Sequence, residues 1–183
     1  PGPLLTSVDL RPVLSTRPVA LLQEGTKAAA SVPLHADGQM SFAGTVLVGT
    51  PPKEAVVLFD TGSSDVWFAE KIFEGSSSLN KLDQSFSVSY ESGYIMGRVV
   101  EDTLTVGGIT LPSFAMGAAT FGSQFLGLDG LIGLGLNSTA QIHNNLFLQE
   151  LGATSFKIKL AVTSPNSLLE FYSGPVPALA DWF

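Results

Sequence analysis

Asp60-Thr61-Gly62-Ser63-Ser64 follows directly on the apolar run Val56-Val57-Leu58-Phe59. A strand that breaks off into an acid and then into small or polar residues holds a carboxylate open to solvent while its surroundings supply hydrogen bonds. Gly62 lets another backbone approach closely, and the hydroxyls of Thr61 and Ser63 can donate to carbonyl or carboxylate oxygens. The chemistry open to such a group is proton transfer: the ionised form takes a proton from water, and the protonated form gives one to an oxygen. Taken by itself the triplet reads more simply as an Asx turn at a strand end. The functional reading therefore rests on what accompanies it.

The elements that must position Asp60 are strands. From Ser31 to Thr120 the runs SVPLH, FAGTVLVG, AVVLFD, DVWFA, SFSVSY, YIMGRVVEDTLTV and ITLPSFAMGAA recur at regular spacing, separated by Gly, Pro, Asp and Ser, as in an all-β barrel or sandwich. GTPP at 49–52 and VGG at 106–108 carry turn chemistry and each predicts a hairpin, the first through proline's preset φ and the second through glycine's tolerance of positive φ. NSTAQIHNNLFLQEL, 137–151, is the best helical stretch, with Ile142, Leu146, Leu148 and Leu151 on an apolar side and Gly152 as its stop. After it SFKIKLAVT alternates, and SLLEFYSG pairs back on it as a hairpin. Residues 1–30, with Pro1, Pro3, Pro12 and Pro18, support neither a clean helix nor a long strand and read as an amino-terminal arm. Residues 31–174 form the body, and 175–183 a tail.

Composition narrows the partners. With 45% hydrophobic and 14% charged residues among 183, the chain can bury a sizeable core, and one domain is expected. Acids exceed bases by 16 to 9, a net charge of −7, which argues against nucleic acid. No apolar run approaches the roughly 20 residues of a membrane helix, so no membrane partner is expected. The sequence opens at Pro1 without a charged-then-apolar leader, as expected either of a processed chain or of a sequence that starts within a longer one. Cysteine is absent, which removes disulfides and thiolate metal sites, and His35 and His143 are too few and too far apart for a metal. FGSQFLGLDGLIGLG is glycine-rich but lacks the order and the lysine of a phosphate loop. Glu101 and Asp102 read as a solvated strand edge. Asn137-Ser138-Thr139 is a glycosylation candidate at Asn137 if the protein is secreted.

The motifs also stand in one order. VGTPPKEAVVLFDTGSSDVW, a Tyr-Gly hairpin at SVSYESGYIMG, EDTLTVGGITL and DGLIGLGL at 129–136 together resemble the amino-terminal lobe of the pepsin-like aspartic proteases, in a fungal-like, single-lobed or truncated form. The resemblance implies an acid-protease β-barrel with one short helix. It makes Asp60 a catalytic aspartate, has Thr61 and Gly62 hold its loop, and has Ser63 hydrogen-bond its outer oxygen. Tyr90 would sit on the flap with its hydroxyl reaching Trp67, and Ser92 and Gly93 would lie at the flap tip. Leu131-Ile132-Gly133 would pack under the Asp60 loop, while Phe125 and Leu128 line a side-chain pocket or belong to the core. The implied substrate is a polypeptide cut at acid pH, the implied setting is secreted or vacuolar, and neither metal nor organic cofactor is called for. Two departures bear on the flap: the interval from Trp67 to Tyr90 lacks the family's cysteines, and Glu91 replaces a glycine, which points to poorer closure or to basic substrates.

The family's mechanism needs two aspartates sharing a proton. None of Asp9, Asp37, Asp65, Asp83, Asp102, Asp129 and Asp181 precedes Thr-Gly or Ser-Gly. Three readings follow: a homodimer in which each copy supplies Asp60, a separate chain that supplies the other lobe, or a non-catalytic lobe that binds or interacts. Leu10, Val13, Val19, Leu21 and Leu22 of the arm are candidates to cap the lobe or mediate its pairing.

Overall fold

The computed structural model describes residues 29–36, 42–90, 93–122, 127–135, 140–142, 146–160 and 167–174. The strands are β1 (Ala30–Ala36), β2 (Phe42–Val48), β3 (Lys53–Asp60), β4 (Val66–Ala69), β5 (Asn80–Tyr90), β6 (Gly93–Val106), β7 (Ile109–Gly122), β8 (Gly130–Gly133), β9 (Ser155–Lys159) and β10 (Ser167–Tyr172). A 3-10 turn covers Glu70–Phe73 and one α-helix, α1, covers Phe147–Glu150. The described residues are thus all-β with one short helix, as the alternating apolar pattern predicts. On β3, for example, Ala55, Val57 and Phe59 are buried while Val56, Leu58 and Asp60 alternate with them as half-buried residues.

All ten strands belong to one sheet, in the order β5-β6-β7-β4-β8-β3-β2-β1-β10-β9. Leu47↔Thr105 and Val48↔Leu104 also join β2 to β6, so β2, β3, β8, β4, β7 and β6 close into a ring. β5 extends from this ring to make a hairpin with β6, and β1, β10 and β9 extend from its other side. Both expected hairpin turns are present: residues 49–52 link β2 to β3, and Gly107 (φ 56°) with Gly108 (φ 88°) links β6 to β7. β9 and β10 pair antiparallel, Leu169 opposite Ile158, as expected.

Two apolar clusters fill the fold. The larger includes Phe68, Phe114, Phe147 and Phe171, with the Phe147 ring edge-on to Phe114 at 6.3 Å and to Phe171 at 5.7 Å. The smaller joins Trp67, Phe86, Val88, Ile95, Leu131 and Ile142 beneath the β5–β6 hairpin, with Tyr90 packed against it.

The structure corrects two expectations. The helix predicted over 137–151 is confined to Phe147–Glu150 among the described residues, and Ala140–Ile142 are not helical. The amides of Gln141 and Ile142 are drawn instead to the buried carboxylate of Asp65. Asp102 is not a solvated edge but has no exposed surface. Its Oδ1 accepts from Ser78 Oγ (2.6 Å), Thr103 N (2.8 Å) and Ser76 Oγ (3.1 Å), while Oδ2 is buried without a partner. β6 is covered on both edges here, by β2 and β7, and the serine loop at 76–78 closes over its polar face. Glu101 beside it is half-buried and accepts from Asn80 Nδ2. The expectations for residues 1–28 and 175–183, and for Phe125, Asn137 and His143, fall outside the described residues.

Candidate active site

Asp60 is the last residue of β3, and β8 runs parallel to it with Asp60 opposite Gly133. The chain then loops through 61–65 and returns as β4, which lies antiparallel on the other side of β8, Val66 opposite Ile132. β8 therefore fills the space between the two legs of the Asp60 loop. Three successive amides bond the loop from beneath: Gly133 N to Asp65 O at 2.9 Å, Leu134 N to Asp60 O at 2.7 Å and Gly135 N to Ser63 O at 2.7 Å. Glycine is required at two of these positions by close approach. A Cβ on Gly133 would lie 2.7 Å from Ser63 O, and one on Gly135 2.6 Å from the same atom.

Above this floor the site is open. The Asp60 side chain is half-buried, its Oδ1 accepts from Gly62 N at 2.9 Å, and Thr61 and Gly62 are exposed. Ser63 differs from expectation. Its Oγ is buried beside the Tyr90 phenol and makes no hydrogen bond to the Asp60 carboxylate. The turn brings the Gly62 amide, rather than the serine hydroxyl, to the carboxylate.

Tyr90 ends β5, opposite Gly93, so the hairpin carries it out over the loop; Ser92 lies outside the described residues. Trp67 Nε1 donates to Tyr90 Oη at 2.8 Å. Burial pushes the phenol up to about 12 from 10.0, and the nearby carboxylates of Asp65 and Asp60 add to that shift, while the hydrogen bond from Trp67 opposes it. Tyr90 therefore remains neutral through the acid and neutral range.

Asp65 is the functional neighbour that motif reading passed over. It is buried, and its carboxylate accepts Ile142 N at 2.8 Å and Gln141 N at 2.9 Å, with the latter bond shared between both oxygens. These bonds hold Ile142 in the cluster under the flap. They also occupy Asp65, so it is not poised as a second acid for Asp60. The available signal was an acid placed directly before the apolar strand Val66–Ala69.

Leu128, expected to line a pocket or pack in the core, borders a cavity of about 370 Å³ together with Trp67, Ile95, Phe121 and Lys71. Among the described residues no three His, Asp or Glu side chains come close enough to hold a metal ion. No helix among them is long and apolar enough to cross a membrane.

Comparison with known proteins agrees with this geometry. The family model "Eukaryotic aspartyl protease" matches residues 41–160. The chain is 34% identical over 164 positions to polyporopepsin of Irpex lacteus, covering 79% of this chain and 48% of that protein. It is 33% identical over 176 positions to pepsin A of Rhinolophus ferrumequinum, covering 84% and 46%. Among solved structures, the aspartic proteinase from Irpex lacteus superposes with a TM-score of 0.66 at 26% identity, over 79% of this chain and 48% of that one. The chain spans about half the length of these relatives.

Proposed function

Because the chain belongs to the eukaryotic aspartyl protease family, we propose that it is the Asp60-bearing lobe of an endopeptidase that hydrolyses polypeptides at acid pH. The observation that carries the reading is the Asp60 loop itself: a half-buried carboxylate at a strand end, bonded from beneath by the amides of Gly133, Leu134 and Gly135 and open above. Such preorganisation fixes a reacting group without reorganisation during the reaction.

In this reading Asp60 and a second carboxylate share one proton. The ionised group removes a proton from water, whose oxygen attacks the peptide carbonyl carbon, and the protonated group gives its proton to the carbonyl oxygen. Collapse breaks the C–N bond as the leaving nitrogen takes up a proton. Acid pH suits the step because two adjacent carboxylates resist ionising together. Tyr90, neutral and held by Trp67, covers the substrate and excludes water. Thr61 and Gly62 shape the loop, and Gly93 belongs to the flap that carries Tyr90.

The sequence contains no second Asp-Thr-Gly or Asp-Ser-Gly, so the second carboxylate comes from another polypeptide segment: a second copy of the chain or a partner lobe. Likeness to secreted and vacuolar proteases supports an acidic compartment outside the cytosol. The alternative is a lobe that binds without catalysis, favoured by the engagement in structural bonds of Asp65, the other carboxylate near Tyr90 among the described residues.

The test is hydrolysis of a fluorogenic peptide between about pH 3 and 7, with solution mass measured by light scattering on the same fractions. Activity that rises with concentration alongside a dimer mass, and that Asp60→Asn removes, is expected for paired copies. Activity only on adding a second lobe indicates a heterologous partner. Hydrolysis unchanged by Asp60→Asn, or an inert protein in every assembly, rules out the catalytic reading.

A further inference from the structure

β8 has four residues, and parallel pairing with β3 is weaker per residue than antiparallel pairing. Yet its register is decisive. Gly130 and Gly133 are the positions where a Cβ would strike backbone, 2.4 Å from Trp67 O and 2.7 Å from Ser63 O respectively. A slip of one residue would place Leu131 or Asp129, Ile132 or Leu134 against those atoms and turn every side chain to the other face. Some feature outside the four residues must fix the register.

Asp129, immediately before β8, makes four contacts that do so. Its N–H donates to Val56 O at 2.7 Å, and its Oδ2 accepts from Val56 N at 3.1 Å, closing a ring on β3 four residues before Asp60. Its carbonyl accepts from Ala69 N at 2.8 Å, at the far end of β4. Its Oδ1 lies 2.9 Å from Lys71 Nζ, on the 3-10 turn that follows β4. One residue thus ties both legs of the Asp60 loop to the start of the strand between them.

We propose that Asp129 is a positioning residue for Asp60: by pinning Val56 and Ala69 it fixes the register in which Gly133–Gly135 hold the Asp60 loop. The ring on Val56 sets this register, and the exposed Lys71 contributes orientation of the carboxylate rather than the register itself. The assignment of a role in catalysis rests on the protease reading above, whereas the structural coupling does not.

Amide hydrogen exchange on the full chain separates the two. In Asp129→Ala the amides of Gly133, Leu134 and Gly135 are expected to lose protection by about tenfold or more, while those of Val100 and Met116 on β6 and β7 stay within about threefold. Uniform loss, or no change at Gly133–Gly135, would overturn the proposal. Lys71→Met removes the ion pair alone and is expected to leave all five amides near wild type; selective loss at Gly133–Gly135 there would assign the register to the charge pair instead. If the alanine variant does not fold, Asp129→Asn decides, because its amide oxygen still reaches Val56 N. Retained protection supports the ring, and selective loss refutes it. In an assembly that cleaves peptide, Asp129→Ala should lower kcat by about tenfold or more with KM within about threefold, since misplacement of the carboxylate affects the chemical step. Absence of cleavage by the wild type would remove the protease reading and leave the exchange result standing.

Discussion

Replacing Gly133 by alanine tests whether the floor beneath Asp60 is as tight as its geometry implies. The new Cβ would meet Ser63 O, Ser64 C and Ser64 Cα, each at 2.7 Å, and all three are backbone atoms of the loop. Carbon contacts settle near 3.5 Å, so loop and strand must separate by roughly 0.5–0.8 Å. β8 cannot retreat, because β3 and β4 bond it on both sides. The loop must therefore rise, stretching the bonds from Leu134 N to Asp60 O and from Gly135 N to Ser63 O. Overpacking of this kind costs about 1–3 kcal/mol. For a domain of this size that corresponds to a fall in Tm of roughly 2–12 °C. A displacement approaching 1 Å in a catalytic group costs up to about 100-fold in rate. Thermal unfolding followed by circular dichroism, with peptide hydrolysis on the same assembly, measures both effects. Gly174→Ala is the control, since a Cβ there meets nothing within 4 Å. A Gly133→Ala variant that unfolds within about 1 °C of wild type, with unreduced turnover, would refute the idea that contact beneath the loop positions Asp60.

Two further substitutions probe the surroundings. Asp102→Ala strands the Ser76, Ser78 and Thr103 donors around a fully buried carboxylate site; because the serines can partly re-pair with Thr50 and with each other, the expected loss is about 2–4 kcal/mol by urea unfolding, and a loss under about 0.5 kcal/mol would contradict the buried network. Tyr90 has its phenol raised from 10.0 to about 12, so the folded state holds that proton more tightly than the unfolded chain does. Its contribution to stability is complete below pH 10 and is lost as pH rises through 12. Tyr90→Phe should therefore flatten the decline of stability over that interval and remove a tyrosine titrating near pH 12 from the absorbance titration, and an unchanged titration would show that the phenol is not buried by the flap contact.

The strands and the Asp60 turn were legible because their causes are local. Alternation on β3, the glycines at 107 and 108, and an acid closing an apolar run each depend on a few consecutive residues. What stayed hidden depends on residues far apart in sequence. Asp102 stands in the polar run Glu101-Asp102-Thr103, which reads as solvated until β2 and the loop at 76–78 close over it. Asp65 reads only as a polar residue ahead of an apolar strand because its partners, Gln141 and Ile142, lie more than 70 residues later. The same pair explains the overlong helix: apolar spacing over 137–151 carries no sign that a distant carboxylate takes two of the amides. Ser63 shows a further limit, since a motif fixes which side chains are present but not which way a hydroxyl turns in the loop.

The polarity of the loop's two faces links the fold to the unresolved half of the chemistry. Beneath Asp60, amides from β8 meet loop carbonyls and glycines remove the side chains that would intrude. Above it, Thr61 and Gly62 face solvent, and among the described residues the carboxylate of Asp65 is not free to share a proton with Asp60, because it is committed to Gln141 and Ile142. A single carboxylate cannot remove a proton from water and donate one to a carbonyl in the same step. Under the proposed protease reading, the lobe carries the geometry of its Asp60 loop by itself, and its reactivity depends on what docks against the exposed side of that loop. Docking need not reorganise the loop, since the bonds that shape it lie on the opposite side. On that reading it has only to bring a second carboxylate to the exposed side of Asp60, so that assembly of an active site is separate from the folding of this lobe.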